Sequence, residues 1–230
     1  MLNYKVSKGF TLAEVLITLG IIGVVAAITI PSLMTAYNKH VTISKLQRAI
    51  SVLNQAYRLS VDDVGEPSLS ESLGLGSEEY FKTYWAPYIK TASICTSYKQ
   101  CGYKRNDPWL YPNKTRVAMG VVVQDRRTTF YTSDGFLYSI FISMGTANNS
   151  GVVQNGTVIV DINGAAAPNR FGRDVFYLTR FSDEGMGIQA LYHDRTDRDV
   201  DKYCSLEGNG FSCAEKIRRA GWKIEKDYPW

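Results

Sequence analysis

Lys8-Gly9-Phe10-Thr11-Leu12-Ala13-Glu14 divides this chain into two chemistries. On one side is a polar leader, Met1 to Gly9, carrying Lys5 and Lys8. On the other, Phe10 to Tyr37 holds a single charged side chain, Glu14, in 28 residues. A helix needs about 20 apolar residues to cross a bilayer core, so this segment is long enough to enter a membrane. A secretory signal has a basic start, an apolar stretch of about 7–15 residues and a small-residue cleavage site after that stretch. Here the stretch is too long, and the small-residue junction, Gly9/Phe10, precedes it. A cut there discards the lysines and leaves the whole apolar helix on the mature chain.

The apolar pattern continues past the span. Ile43, Leu46, Ile50, Leu53 and Tyr57 follow at steps of 3, 4, 3 and 4, with Ala49, Val52 and Ala56 widening the stripe, which is one face of a helix. The spacing predicts one helix from Phe10 to about Leu59, loosened or kinked at Pro31, where a backbone donor is missing. Gly20 and Gly23 allow close helix packing without forming a small-xxx-small motif. Asp62-Asp63-Val64-Gly65-Glu66-Pro67-Ser68 ends the helix and opens a loop-rich stretch with a short helix at Glu78–Tyr88. Strand-like runs follow at Arg116–Gln124, Thr128–Thr132, Phe136–Met144, Thr157–Ile162 and Val175–Phe181. They lie too close together for crossover helices, so antiparallel pairing is expected. Ser212–Ala220 reads as a late helix. The expected class is α+β: a long N-terminal helix, its first half transmembrane, packed on a small antiparallel sheet. The expected segments are 1–9 leader, 10–37 membrane and assembly helix, 38–60 its continuation, and 61–230 the globular domain.

Lys8-Gly9-Phe10-Thr11-Leu12-x-Glu14, followed by Ile21-Ile22-Gly23, Ala26-Ala27-Ile28 and Pro31, resembles the N-terminus of type IV pilins and of the pseudopilins of type II secretion. The resemblance covers about the first 35 residues; Ala13 stands where a larger aliphatic is commoner. It implies that a prepilin peptidase cuts between Gly9 and Phe10, that the new amine of Phe10 is methylated, and that subunits polymerise through the helix. Glu14 fits this scheme. A carboxylate in an apolar helix costs roughly 2.5–3.5 kcal/mol at the bilayer centre, and the resemblance implies that the Phe10 amine of a neighbouring subunit neutralises it. The competing reading is a carboxylate that snorkels to the headgroups. The resemblance also implies a bacterial inner-membrane protein, a structural subunit of a pilus or secretion pseudopilus. A minor pilin at the filament tip, or a membrane-tethered binding module for DNA or another ligand, is the alternative.

Lys5 and Lys8 put the N-terminus on the cytoplasmic side by the positive-inside rule, weakly opposed by Lys39 and His40. All four cysteines, Cys95, Cys101, Cys204 and Cys213, follow the span, as disulfides in an oxidising compartment would. Three pairings are open; Cys95 with Cys101 and Cys204 with Cys213 close the shortest loops. Cys-x5-Cys and Cys-x8-Cys without a nearby His pair do not have zinc spacing. In the pilins that this sequence resembles, a disulfide-bounded C-terminal region lies on the filament exterior.

After the leader, 24 Lys+Arg (the total of 26 less Lys5 and Lys8) face 22 Asp+Glu, too even a balance to demand nucleic acid. About 170 residues remain for one domain with its own core, and 15 Tyr, 4 Trp and 19 Gly suit sheet and turns. Asp161-Ile162-Asn163-Gly164 with Gly172-Arg173-Asp174 has two readings. Asp161, Asn163 and Asp174 are oxygen ligands for calcium, or Asp161 and Asn163 form an Asx-type turn at a strand end and Asp174 caps the next element, which the absence of an EF-hand pattern favours. No other cofactor is expected. The chain carries no Gly-x-Ser-x-Gly, His-Glu-x-x-His or phosphate-binding glycine loop, so no enzyme is expected. Lys104-Arg105, Arg126-Arg127 and Arg218-Arg219 read as solvated surface rather than a DNA stripe, with Asp107, Asp125 and Glu215 nearby in sequence.

Overall fold

The computed structural model describes residues 9, 11–65, 69–123, 126–141, 154–181 and 187–230. Phe10, the leader before Gly9, Gln124, Asp125 and Met144 lie outside these. The chain forms two compact units, Met1–Val41 and Thr42–Trp230, and helix α1 (Leu12–Val64, 53 residues) contributes to both.

In the first unit α1 presents Leu16, Ile17, Ile21, Ile22 and Leu33 uncovered; this stretch is long and apolar enough to cross a membrane. As expected, one helix runs through Pro31, and α1 is continuous there. Proline removes one donor from a ladder that is otherwise continuous, and the Thr29, Ser32 and Thr35 hydroxyls bind the carbonyls of Val25, Thr29 and Pro31 at 2.9 Å.

The second unit is built on a six-stranded sheet whose strands neighbour one another in chain order. They are β1 (Thr91–Cys95), β2 (Arg127–Thr132), β3 (Leu137–Phe141), β4 (Gln154–Asp161), β5 (Val175–Phe181) and β6 (Ile188–Ala190). Every pairing is antiparallel, so the class is α+β as expected. Alternation along the strands sends Phe130, Tyr138, Ile140, Val158, Val160, Phe176 and Leu178 to one face. There they pack with Leu46, Ala49, Leu53 and Ala56 of α1 and with Tyr80 and Phe81 of α2 (Leu69–Tyr84). Leu137, Ile159 and Val175 point to the opposite face, under Trp109, Val117, Val121 and Phe171. With both faces covered, the strands are buried throughout rather than alternately, as the patterns of β2 and β3 show.

One edge of the sheet is closed by a side chain. The amide of Asn54, on α1, donates to Ile188 O at 3.0 Å and accepts from Ile188 N at 2.9 Å. It thereby stands in for a seventh strand along β6 and leaves this edge peptide no free groups for further pairing. Gly187 makes room, since a Cβ there would lie 2.3 Å from Asn54 Oδ1.

Several boundaries differ from expectation. The segment Arg116–Gln124 is not a strand in its described part. Only isolated bridges at Leu110–Arg116 and Val123–Arg127 form, because this stretch crosses the second sheet face and Val121 O is taken by the Thr129 and Ser139 hydroxyls. Helix α1 ends at Val64 rather than Leu59, closed by Gly65 at φ 79°. Helix α2 starts at Leu69, breaks at Gly76 (φ 74°) and ends at Tyr84, with a 3-10 turn at Ala86–Tyr88. Strands β1 and β6 and helix α3 (Asp197–Tyr203) were not foreseen; helix α4 (Cys213–Arg219) was.

Candidate functional site

The first candidate is the helix start. Gly9 is exposed; Phe10, its partner at the cleavage junction, lies outside the described residues. Thr11 is the N-cap of α1 and Glu14 its third residue, and they satisfy each other. Thr11 N and Oγ1 both donate to Glu14 Oε2 at 2.8 Å, and Glu14 N donates to Thr11 Oγ1 at 3.2 Å. This is a capping box, and Thr-x-x-Glu was legible in the sequence as its signature. The carboxylate that reads as an assembly group therefore also closes the first turn of its own helix, with both bonds on Oε2. Pro31 lies within the same exposed apolar stretch.

The second candidate is the disulfide framework. Cys95–Cys101 and Cys204–Cys213 are bonded, with Cα separations of 5.3 and 4.8 Å, and no described cysteine is free. The local pairing is the expected one. The first bridge sits in the cluster on one sheet face and the second in the cluster on the other, and all four cysteines are buried. The loop between Cys204 and Cys213 is anchored by Phe211, which packs edge-on against Phe171 (4.8 Å) and at a tilt against Tyr177 (4.9 Å). At Gly172 (φ 82°) an added Cβ would meet Cys213 Sγ at 2.8 Å, so the bridge rests directly on the backbone entering β5. Glu215, fully buried in α4, is held by Arg218 (2.7 Å) and Arg219 (2.6 Å), and Arg219 reaches on to the carbonyls of His193 and Arg195.

Asp161, Asn163 and Asp174 do come together, at the start of β5. Asp161 accepts from the Tyr103 hydroxyl at 2.8 Å, and Asn169, with its amide nitrogen turned toward Asp161, reaches Oδ2 at 3.0 Å. Asp174 accepts from the backbone N–H of Asn169 (2.8 Å) and Arg170 (2.6 Å). Burial, reinforced by neighbouring Asp174, pushes the Asp161 carboxyl well above the usual range, and burial raises Asp174 as well. The oxygens of both carboxyls thus face protein donors. Asn163 Oδ1 is buried without a donor, a single neutral oxygen. Among the described residues no group of three His, Cys, Asp or Glu could hold a metal. The hydrogen bonds that Asp161 and Asp174 accept brace the turn entering β5.

The basic dipeptides do not form a free stripe. Arg105 pairs with Asp107 at 2.6 Å, Arg218 and Arg219 serve Glu215, and Arg127 is buried between the Trp109 and Phe141 rings, where desolvation brings its pKa down to about 10.

Residues 4–30 match the family described as the prokaryotic N-terminal methylation motif. This is the signature of type IV pilins and pseudopilins; it covers the junction and the start of α1 and none of the globular unit. No curated protein and no solved structure matches the chain. The motif supports a pilin-like or pseudopilin precursor, and with the long apolar helix it points to membrane anchoring.

Proposed function

We propose that this chain is a filament-forming structural subunit of a type IV pilus or secretion pseudopilus. It is made as a membrane-anchored precursor with a cytoplasmic leader and an exported globular domain. The observation that carries this reading is Gly9/Phe10 placed directly before a capping box built on the one carboxylate of the span. Prepilin peptidase cleaves there, and the Phe10 amine, still cationic after methylation, becomes the partner that Glu14 needs in lipid. Glu14 Oε2 is engaged by Thr11, which leaves Oε1 to accept the amine of a neighbouring subunit. Removal from the bilayer and docking onto the filament are thereby coupled, because each satisfies a charge that is costly in hydrocarbon. The buried disulfides suit an oxidising compartment beyond the membrane.

Two measurements test the reading. Mass spectrometry of the membrane-extracted chain should find methylated Phe10 at the N-terminus; a chain retaining Met1 in cells with active peptidase would refute processing. Glu14→Val should be cleaved and inserted normally yet fail to enter sheared filaments or cross-linked oligomers, and normal incorporation would leave Glu14 no pairing role.

A further inference from the structure

Three stretches of this chain read Asn-x-Ser/Thr without proline in the middle: Asn113-Lys114-Thr115, Asn148-Asn149-Ser150 and Asn155-Gly156-Thr157. This is the acceptor pattern for a saccharide on an asparagine amide, and it serves only on an accessible surface loop of an exported domain. The fold sorts the three. Asn155-Gly156-Thr157 runs inside β4, where a Cβ at Gly156 would lie 3.2 Å from Phe141 O and Thr157, a buried residue, accepts from the Tyr177 hydroxyl at 3.3 Å. Asn148-Asn149-Ser150 lies outside the described residues. Asn113, Lys114 and Thr115 are all exposed, at the tip of a turn.

The turn is held at its base and open at its tip. Tyr111 N donates to Thr115 O at 2.8 Å and Lys114 N to Tyr111 O at 2.9 Å. Pro112 is buried beneath it: a Cβ at Gly210 would meet Pro112 Cγ at 3.0 Å, and the Tyr111 ring lies 6.3 Å from that of Phe211. The turn therefore stands on the loop that Cys204 and Cys213 close. At the tip, Thr115 N and Oγ1 both donate to Asn113 Oδ1, at 2.9 and 2.6 Å. An asparagine amide has an oxygen with two lone pairs and a nitrogen with two donor hydrogens. Here the oxygen is saturated, and among the described residues Nδ2 has no hydrogen-bond partner. Two donors on the oxygen stabilise negative charge there, which makes an Nδ2 proton easier to remove.

We propose that Asn113 is the acceptor of an N-linked saccharide, added on the exported side of the membrane from a sugar activated at C1 by a diphosphate. In the transfer the bond from Nδ2 to C1 forms as the C1–O bond to the diphosphate breaks. The diphosphate leaves with the electron pair, and the Nδ2 proton passes to a base of the transferase. The proposal rests on the reading that the globular unit is exported. The sugar stands beside the Cys204–Cys213 loop and adds a bulky, hydrated group to that face of the unit.

The test is peptide mass spectrometry of the full chain purified from the cells that produce it. Trypsin releases residues 106–114, which contain no Ser or Thr, so sugar mass on this peptide excludes linkage to a Ser or Thr hydroxyl, and fragment ions separate Asn113 from Asn106 and Tyr111. Wild type should carry the mass, Asn113→Gln and Thr115→Ala should each lose it completely, and Thr115→Ser should keep it. The state of Cys204 and Cys213 in the same digest reports export and folding of every variant. A bare Asn113 in wild type with both cysteines oxidised would overturn the proposal while leaving export intact. So would sugar on Asn155 in place of Asn113, or sugar on Asn113 that persists in Thr115→Ala. Free thiols at Cys204 and Cys213 with a bare Asn113 would refute export, and the acceptor site with it.

Discussion

Replacing Asn54 with alanine should destabilise the globular unit by much more than an exposed helix substitution would. The Asn54 amide is the partner of both Ile188 N and Ile188 O and also donates to Ile50 O at 3.1 Å. Ile188 is 1% exposed, so alanine leaves a buried donor and a buried acceptor unpaired, at about 1–3 kcal/mol each. Asn54 also lines a groove with Ser51, Arg58 and Gln189, through which water can reach part of the gap; the expected net loss is about 2–4 kcal/mol. For a unit of this size each kcal/mol corresponds to about 2–4 °C, so the melting temperature should fall by roughly 4–15 °C. Near-UV circular dichroism of the full chain in detergent, reporting on its 15 Tyr and 4 Trp, measures this. Asn54→Asp should fall between wild type and alanine, because it keeps the acceptor for Ile188 N–H and loses the donor to Ile188 O. A shift of less than about 2 °C in Asn54→Ala would mean that the sheet edge does not depend on this clasp.

Cys204→Ser should lower the melting temperature by roughly 5–10 °C, since closing a loop of about ten residues contributes about 2–3 kcal/mol. Cleavage at Gly9/Phe10 should be unchanged; an unaltered melting temperature would mean that the packing of Phe211 and α4 alone holds the loop. The raised Asp161 carboxyl sets a pH dependence. Between about 3.9, its unfolded value, and its higher folded value, the folded chain keeps a proton that the unfolded chain has released. Stability from this group is therefore full at low pH and falls as pH rises through the folded value. Thermal melts across that range should show Asp161→Asn with a flatter decline than wild type, and parallel curves would refute the assignment. In the same experiment, stabilisation of wild type by calcium that Asp161→Asn abolishes would identify the loop as a cation site.

What could be read without coordinates is what depends on near neighbours in the chain. The apolar run and its lone Glu14 announce a membrane helix through composition alone. The stripe Leu46–Leu53–Tyr57 follows helical period, and cysteines six and nine residues apart pair within their own loops because chain entropy favours the shortest closure. Even the Thr11–Glu14 box is a local pattern that could have been recognised. Tertiary structure decided everything that rests on distant partners. Strands β1 and β6 are short and have no periodicity of their own, and they exist because β2 and β5 offer them a ladder and, for β6, because Asn54, 134 residues away, closes its far edge. Arg116–Gln124 looked like a strand because its valines are apolar, yet those valines cover a sheet face instead of joining a ladder. That Asp161 accepts from Tyr103, and Asp174 from the backbone of Asn169 and Arg170, depended on which groups folding placed around them. Burial and pairing of polar groups are properties of the assembled interior, and no spacing rule within a single stretch of sequence encodes them.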